Sequence, residues 1–215
     1  MNNFIQPYQF VSIKEQAEKL VNVYKSVNDP KTIETFQAMT DDHIAQLFNE
    51  KHSEVTDFVN IIMNKKISRA QVDKLLIGLK AYVIPFEQPS SKQLEKVFKK
   101  TKKLKQPDWE NIDLKESSYI GWNDSGKQKK YIVLYDENEK LTGVVGDLSP
   151  AIKPGICSIC QKESNVSMFL STTKSKGDGT YTKNGNYICH DSIRCNQQLV
   201  QLDALYDFIH TVKMT

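Results

Sequence analysis

Four cysteines constrain this 215-residue chain more than anything else in it. They fall in two clusters, Cys157-x2-Cys160 within "GICSIC" (155–160) and Cys189-x5-Cys195 within "YICHDSIRC" (187–195). Three chemistries compete for them: a metal site, a pair of disulfides, or a reactive centre. The opening residues, "MNNFIQPYQF", lack a charged region followed by an apolar one, so no secretory signal is expected and the predicted location is cytoplasmic. Thiols stay reduced there, which disfavours two disulfides. A C-x2-C turn folds backbone amides and two thiolates around a cation, and a later pair can close the tetrahedron.

His190, next to Cys189, is a competing ligand. A Cys157/Cys160/His190/Cys195 set is geometrically possible, but neighbouring side chains diverge in extended backbone. The predicted ligands are therefore Cys157, Cys160, Cys189 and Cys195. Four buried cysteines without a ligand is the plain alternative. Four protein ligands leave no open position for water or substrate, so the site is expected to hold one structural zinc ion. The flanking sequence gives it a frame. "NGNYI" (184–188) predicts a turn with positive φ at Asn184-Gly185, then a strand ending at Cys189. "RCNQQLVQLDALYDFIHTV" predicts one helix with Leu199, Leu202, Leu205, Tyr206 and Ile209 on one face and Cys195 near its first turn. Knuckle, hairpin and ligand-bearing helix describe a treble clef over 155–212.

The remaining chain divides by its periodicity. Residues 1–84 predict a bundle of four or five short helices. Ser12-x-x-Glu15 can form a capping box ahead of Ile13, Ala17, Leu20, Val21 and Tyr24. Asp29-Pro30 places an N-cap before a proline at the first helical position, with Ile33, Phe36 and Met39 following. A fresh start at Thr40-Asp41 leads to Ile44, Leu47 and Phe48. Ser53 precedes Val55, Phe58, Val59 and Ile62, and Ser68-x-x-Gln71 forms another capping box before Val72, Leu75, Leu76 and Leu79. His43 and His52 have no catalytic neighbours and read as surface residues.

Prolines at 85 and 89 mark a boundary, and residues 85–215 predict an α+β domain that carries the metal. "SKQLEKVFKKTKKLKQP" (91–107) predicts a helix with Leu94, Val97 and Phe98 inward and seven lysines outward. Those lysines form either a solvated face or an electrostatic patch for acidic protein or RNA. Period-two stretches follow at 119–122, 130–136, 141–148 and 164–172, with a turn at Glu137–Lys140. The formal net charge of +3 is too modest to mark a nucleic-acid binder by itself, and no apolar run approaches the ~18–20 residues that span a bilayer. No phosphate-cradling glycine loop, paired histidine and carboxylate, or G-x-S-x-G is present. A binding protein is expected, not an enzyme.

Several segments carry a resemblance. "LVNVYKSVND" (20–29), "VIPFEQPSSKQLEKVFKKTKKLKQP" (83–107), "SSYIGWN" (117–123), "KYIVLYDE" (130–137), "CSICQKESNVSMFL" (157–170) and "GTYTKNGNYICHDSIRCNQQL" (179–199) are similar to the FusB-type fusidic acid resistance proteins, the elongation factor G-binding family. The resemblance implies an N-terminal helical bundle and a C-terminal treble-clef zinc domain. It also implies binding to elongation factor G, mainly through the zinc domain, on or off the ribosome, and release of the factor where fusidic acid has trapped it. The drug would not be modified. A monomer with no DNA or membrane partner is expected.

The family's contact surface includes aromatic and lysine side chains around the zinc. Tyr187 and Phe208 stand at two such positions. Ile156 replaces an aromatic before the first cysteine, and Asn184 replaces a lysine, with Lys183 adjacent. Loss of an aromatic anchor would cost ~1–3 kcal/mol of binding. The alternative function is a zinc-dependent RNA or ribosome binder using lysines 91–105, although phosphate tracking usually needs a broader basic footprint.

Overall fold

A computed structural model describes residues 3–174 and 181–213. The chain divides into two compact units, Met1–Ile84 and Pro85–Thr215. Among its described residues the first contains four α-helices, α1 (Pro7–Ser26), α2 (Pro30–Ala45), α3 (Ser53–Ile62) and α4 (Arg69–Leu79), the last followed by a 3-10 turn at Lys80–Tyr82. Helix α1 starts earlier than expected, because Gln6 and Gln9 form its capping box with a proline at the first turn. Ser12 lies inside that helix, 1% exposed, with its hydroxyl 3.0 Å from His43 Nε2. Asp29 does cap α2, its carboxylate accepting from the Thr32 amide at 2.8 Å. No break follows at Thr40. Helix α2 runs through it, and Ile33, Thr40 and Ile44 line the buried side. Phe36 and Met39 therefore point outward, contrary to the expected stripe. Ser68 and Gln71 form the capping box of α4.

The core of this unit joins Phe10, Ile13, Ala17 and Leu20 of α1 to Phe58 and Ile62 of α3 and Val72, Leu76 and Leu79 of α4. Ile5 pairs with Val83 in a parallel bridge, tying the two ends of the unit together. His52 stacks on Phe4 with ring centroids 3.7 Å apart. No helix among the described residues is long and apolar enough to cross a membrane.

The second unit opens with α5 (Ser91–Val97), capped by Ser90 and Gln93. The predicted lysine helix ends here, far short of residue 107. Phe98 leaves the helix at φ −104°, ψ 43° and wedges edge-on against Trp122 and Tyr131, with centroids 5.7 and 5.3 Å away. That burial outweighs continued lysine-rich helix, whose lysines have no buried face to add. The following chain is clamped as a loop: the Trp122 indole donates to the Lys105 carbonyl at 2.8 Å, and Lys127 Nζ donates to the carbonyls of Lys102 and Lys103 at 3.1 Å each.

Six antiparallel strands follow: β1 (Ile120–Asp124), β2 (Lys129–Tyr135), β3 (Leu141–Leu148), β4 (Lys153–Ile156), β5 (Glu163–Lys174) and β6 (Tyr181–Cys189). Their order is β1-β2-β3-β5-β4, with β6 also on β5. The sheet curls between two cores. Strand β2 sends Tyr131 and Val133 to the α5 side, where they meet Leu94, Phe98, Ile120 and Trp122. Ile132 and Leu134, on its other face, join the cysteines and the C-terminal helices. The expected single C-terminal helix is two, α6 (Ser192–Asn196) and α7 (Asp203–Lys213). Leu199 fills the core from the connection between them.

Candidate metal centre

The cysteines arrive on three pieces of backbone. Cys157 and Cys160 lie in the turn after β4, Cys189 ends β6, and Cys195 lies in α6. The turn closes through Cys157, whose amide donates to the Lys162 carbonyl at 3.0 Å and whose carbonyl accepts from the Gln161 amide at 2.9 Å. Gln161 takes φ 57° to complete it. The Ser158 amide donates to the Tyr187 carbonyl at 2.9 Å, which joins the turn to β6. Helix α6 is placed from both ends. Asp191 Oδ1 accepts from the Ile193 amide at 2.8 Å, and Asn196 donates to the Tyr119 carbonyl at 3.0 Å while accepting from the Ser118 amide at 2.8 Å.

All four sulfurs lie within 4.8 Å of one another, and all four residues are buried and free of disulfides. Cys157 and Cys195 sulfurs are 3.8 Å apart, as are those of Cys160 and Cys189. A tetrahedral zinc with Zn–S bonds of ~2.3 Å has sulfur–sulfur edges of about 3.8 Å, so the donor set fits that ion. Amides of Ile159 and Cys189 each point at the Cys157 sulfur from 3.3 Å. These are the donors that stabilise a metal-bound thiolate.

Left to themselves, the sulfurs share charge unevenly. Hydrogen bonds from Cys160, Cys189 and Cys195 pull the Cys157 pKa far below the usual thiol range. The Cys160 and Cys195 thiols are pushed up, first by their contacts with Cys157. Four thiolates this close repel one another unless a cation sits among them.

His190 is held elsewhere. Its Nδ1 lies 2.9 Å from Ser167 Oγ, its Nε2 lies 3.4 Å from Asn123 Nδ2, and its amide donates to the Asn165 carbonyl at 3.0 Å. Burial, then the nearby Lys130 charge, lowers its pKa. Lys130 itself is a residue that sequence reasoning missed. It is 1% exposed, and its ammonium donates to the His190 carbonyl at 2.9 Å and Asn123 Oδ1 at 3.0 Å. Burial lowers its pKa to about 8, against the opposing pull of Cys195, Asp191, Cys189 and Cys157. The one sequence signal was its even spacing from Ile132 and Leu134, which puts all three on one strand face.

The expected partner-contact residues differ in exposure. Ile156, at the end of β4, is 68% exposed. Tyr187 is half-buried, with Lys153 Nζ 3.9 Å above its ring centroid. Lys183 is exposed and Asn184 half-buried, farther back along β6, where they pair with Thr172 and Ser171. Asn184-Gly185 is not a turn. Both lie within β6, and Asn184 has no positive φ. Gly185 is required there because a Cβ would stand 1.8 Å from the Phe169 carbonyl oxygen. Phe208 is 5% exposed and belongs to the core around the cysteines.

Family models match both units. Residues 4–87 match the model described as elongation factor G-binding protein, N-terminal. Residues 91–206 match the FBP C-terminal treble-clef zinc-finger. The chain belongs to the elongation factor G-binding protein family. A solved structure titled as that of the fusidic acid resistance protein FusC is 43% identical, covers 98% of each chain and superposes with a TM-score of 0.91. A search of curated proteins found no match. The family assignment carries the treble clef with it: turn, β5–β6 hairpin and α6 are its three parts. Phe208 lies beyond the last residue matched by the zinc-finger model.

Proposed function

We propose that this protein binds elongation factor G through its zinc-finger unit and promotes release of the factor from ribosomes on which fusidic acid has trapped it. The observation that carries this reading is similarity to the fusidic acid resistance protein FusC over 98% of both chains at 43% identity, with both family models in the same order. In this reading Cys157, Cys160, Cys189 and Cys195 hold one zinc ion, whose role is structural because four sulfurs complete its shell. The metal neutralises the clustered thiolates and locks turn, hairpin and α6 together. The contact surface is the exposed ground beside the turn, where Ile156 and Tyr187 lie, extended along β6 by Lys183 and Asn184. The protein acts as a cytoplasmic monomer by binding alone, without catalysis.

Co-elution of the purified protein with purified elongation factor G, without ribosomes or drug, tests the first step. Recovery of translation in a fusidic acid-inhibited reconstituted system tests the second. Separate elution at micromolar concentrations would sink the proposal, and chemically altered drug after incubation would point to an enzyme instead.

One observation favours a second reading, an RNA contact. Lys92, Lys96, Lys99, Lys100, Lys102, Lys103 and Lys105 are all exposed and have no carboxylate partner among the described residues. Affinity for ribosomal RNA that falls steeply with salt would support it.

A further inference from the structure

Lys130 lies in a place where a lysine is costly. It is 1% exposed, and no carboxylate among the described residues comes within ion-pair distance of it. Its ammonium donates to two neutral acceptors, the backbone carbonyl of His190 and the amide oxygen of Asn123. Two neutral acceptors do not replace the hydration of a full positive charge. The offset must come from negative charge close by. The nearest such charge is at the cysteine cluster, because the carbonyl that Lys130 holds at 2.9 Å belongs to His190, the residue after Cys189. Asp191 is occupied with the amides of Ile193 and Arg194.

The cluster has the opposite deficit. Four thiolates around a divalent ion leave two net negative charges in a water-poor site. Strand geometry puts Lys130 on the cluster's side of the sheet: it shares a β2 face with Ile132 and Leu134, and those two pack in the core that contains all four cysteines. The ammonium is also fixed in place. It holds the carbonyl of the residue directly after Cys189, and the Asn123 amide donates to the same carbonyl at 3.2 Å. Tether and countercharge are thus one group.

We infer that Lys130 is a positioning residue for the metal, a buried positive charge beside the four-sulfur site that also anchors the backbone at Cys189–His190. This rests on the reading that the cysteines hold a metal. It makes metal retention depend on a strand outside the treble clef, so the zinc finger is not an autonomous module.

The test uses the full-length, zinc-loaded protein and its Lys130→Met and Lys130→Gln variants. Methionine keeps the length and packing of the stem without charge, and glutamine retains an amide donor for the His190 carbonyl. Transfer of zinc to a chromophoric chelator should reveal roughly tenfold or greater loss of affinity in both variants, as is usual for groups just outside a metal's ligands. In cobalt-loaded samples the sulfur-to-metal charge-transfer band should move to lower energy, because thiolates that lose a neighbouring positive charge are easier to oxidise. A purely structural lysine would not move that band. Wild-type affinity and an unshifted band in either folded variant would overturn the proposal. Weak binding by Lys130→Met with normal binding by Lys130→Gln would also overturn it, by showing a tether without a charge effect. If wild-type protein takes up no zinc or cobalt at all, the metal reading itself fails, and that outcome is distinct from the others.

Discussion

The Phe208 ring packs on Phe169 with centroids 5.6 Å apart and planes tilted by 60°. One ring comes from α7 and the other from the middle of β5, so this pair fastens the last helix to the sheet beside the cysteines. Phe208→Ala should therefore cost roughly 3–5 kcal/mol of stability, as for a large core truncation. Urea unfolding of the second unit checks it. Any loss of binding to elongation factor G should track the loss of folded protein. Unchanged stability with weakened binding would return Phe208 to the role of a contact residue.

Gly185→Ala should disrupt the hairpin. The added methyl meets backbone on β5, the Phe169 carbonyl oxygen at 1.8 Å and the Leu170 Cα at 3.0 Å. Backbone cannot rotate aside as a side chain can, so the two strands must part locally. Overpacking of this kind costs ~1–3 kcal/mol and occasionally more. Amide exchange should accelerate along β5 and β6 and stay unchanged in residues 1–84. Wild-type protection throughout the hairpin would count against this geometry.

Removing the metal should unfold the second unit while the first keeps its helices. Metal binding contributes ~10–16 kcal/mol in small zinc modules, as much as the whole stability of an ordinary domain. The cysteines belong to one core and the helical unit has another built from different residues. Chelation, or Cys160→Ser, should therefore abolish the strand signal in circular dichroism and leave helical signal from α1–α4. Full retention of the sheet after complete chelation would mean that the cysteines pack without needing an ion.

Tyr187→Ala should behave unlike Phe208→Ala. The ring is half-buried, and its contact with the Lys153 ammonium at 3.9 Å is a cation–π interaction worth ~0.5–1 kcal/mol at an exposed site. The expected result is a melting temperature lowered by a few degrees at most, about 1 kcal/mol, with retained zinc. Affinity for elongation factor G should fall by roughly 1–3 kcal/mol. Calorimetry on one sample gives both numbers. Undiminished affinity would move the contact surface away from the knuckle.

Much of the local structure is legible in the residues alone. Asp29-Pro30 and Ser68-x-x-Gln71 mark helix starts because a side-chain oxygen must satisfy an amide within three residues, a requirement met entirely by neighbours in sequence. Strand β3 spans Leu141–Leu148, and its burial alternates from Val144 to Leu148. The cysteine spacing points to a metal because few other chemistries place two thiols on one turn and two more later in the chain. Ser12 and Thr40 mislead for the same local reason. A capping residue inside a helix looks identical in sequence to one at its start, and only the neighbouring helices decide which it is.

The features legible from residues alone are therefore short-range: caps, alternation and ligand spacing, each set by backbone hydrogen bonding or side-chain reach over a few residues. The tertiary structure alone decided where the lysine-rich helix stops, since Phe98 leaves it to pack against Trp122 and Tyr131, more than twenty residues onward. It alone turned Asn184-Gly185 from a turn into strand, because β5 approaches too closely for any side chain at Gly185. It also drew Phe208 inward and buried Lys130 beside the cysteines. Burial and charge compensation depend on what arrives from distant parts of the chain, and no local pattern records those arrivals.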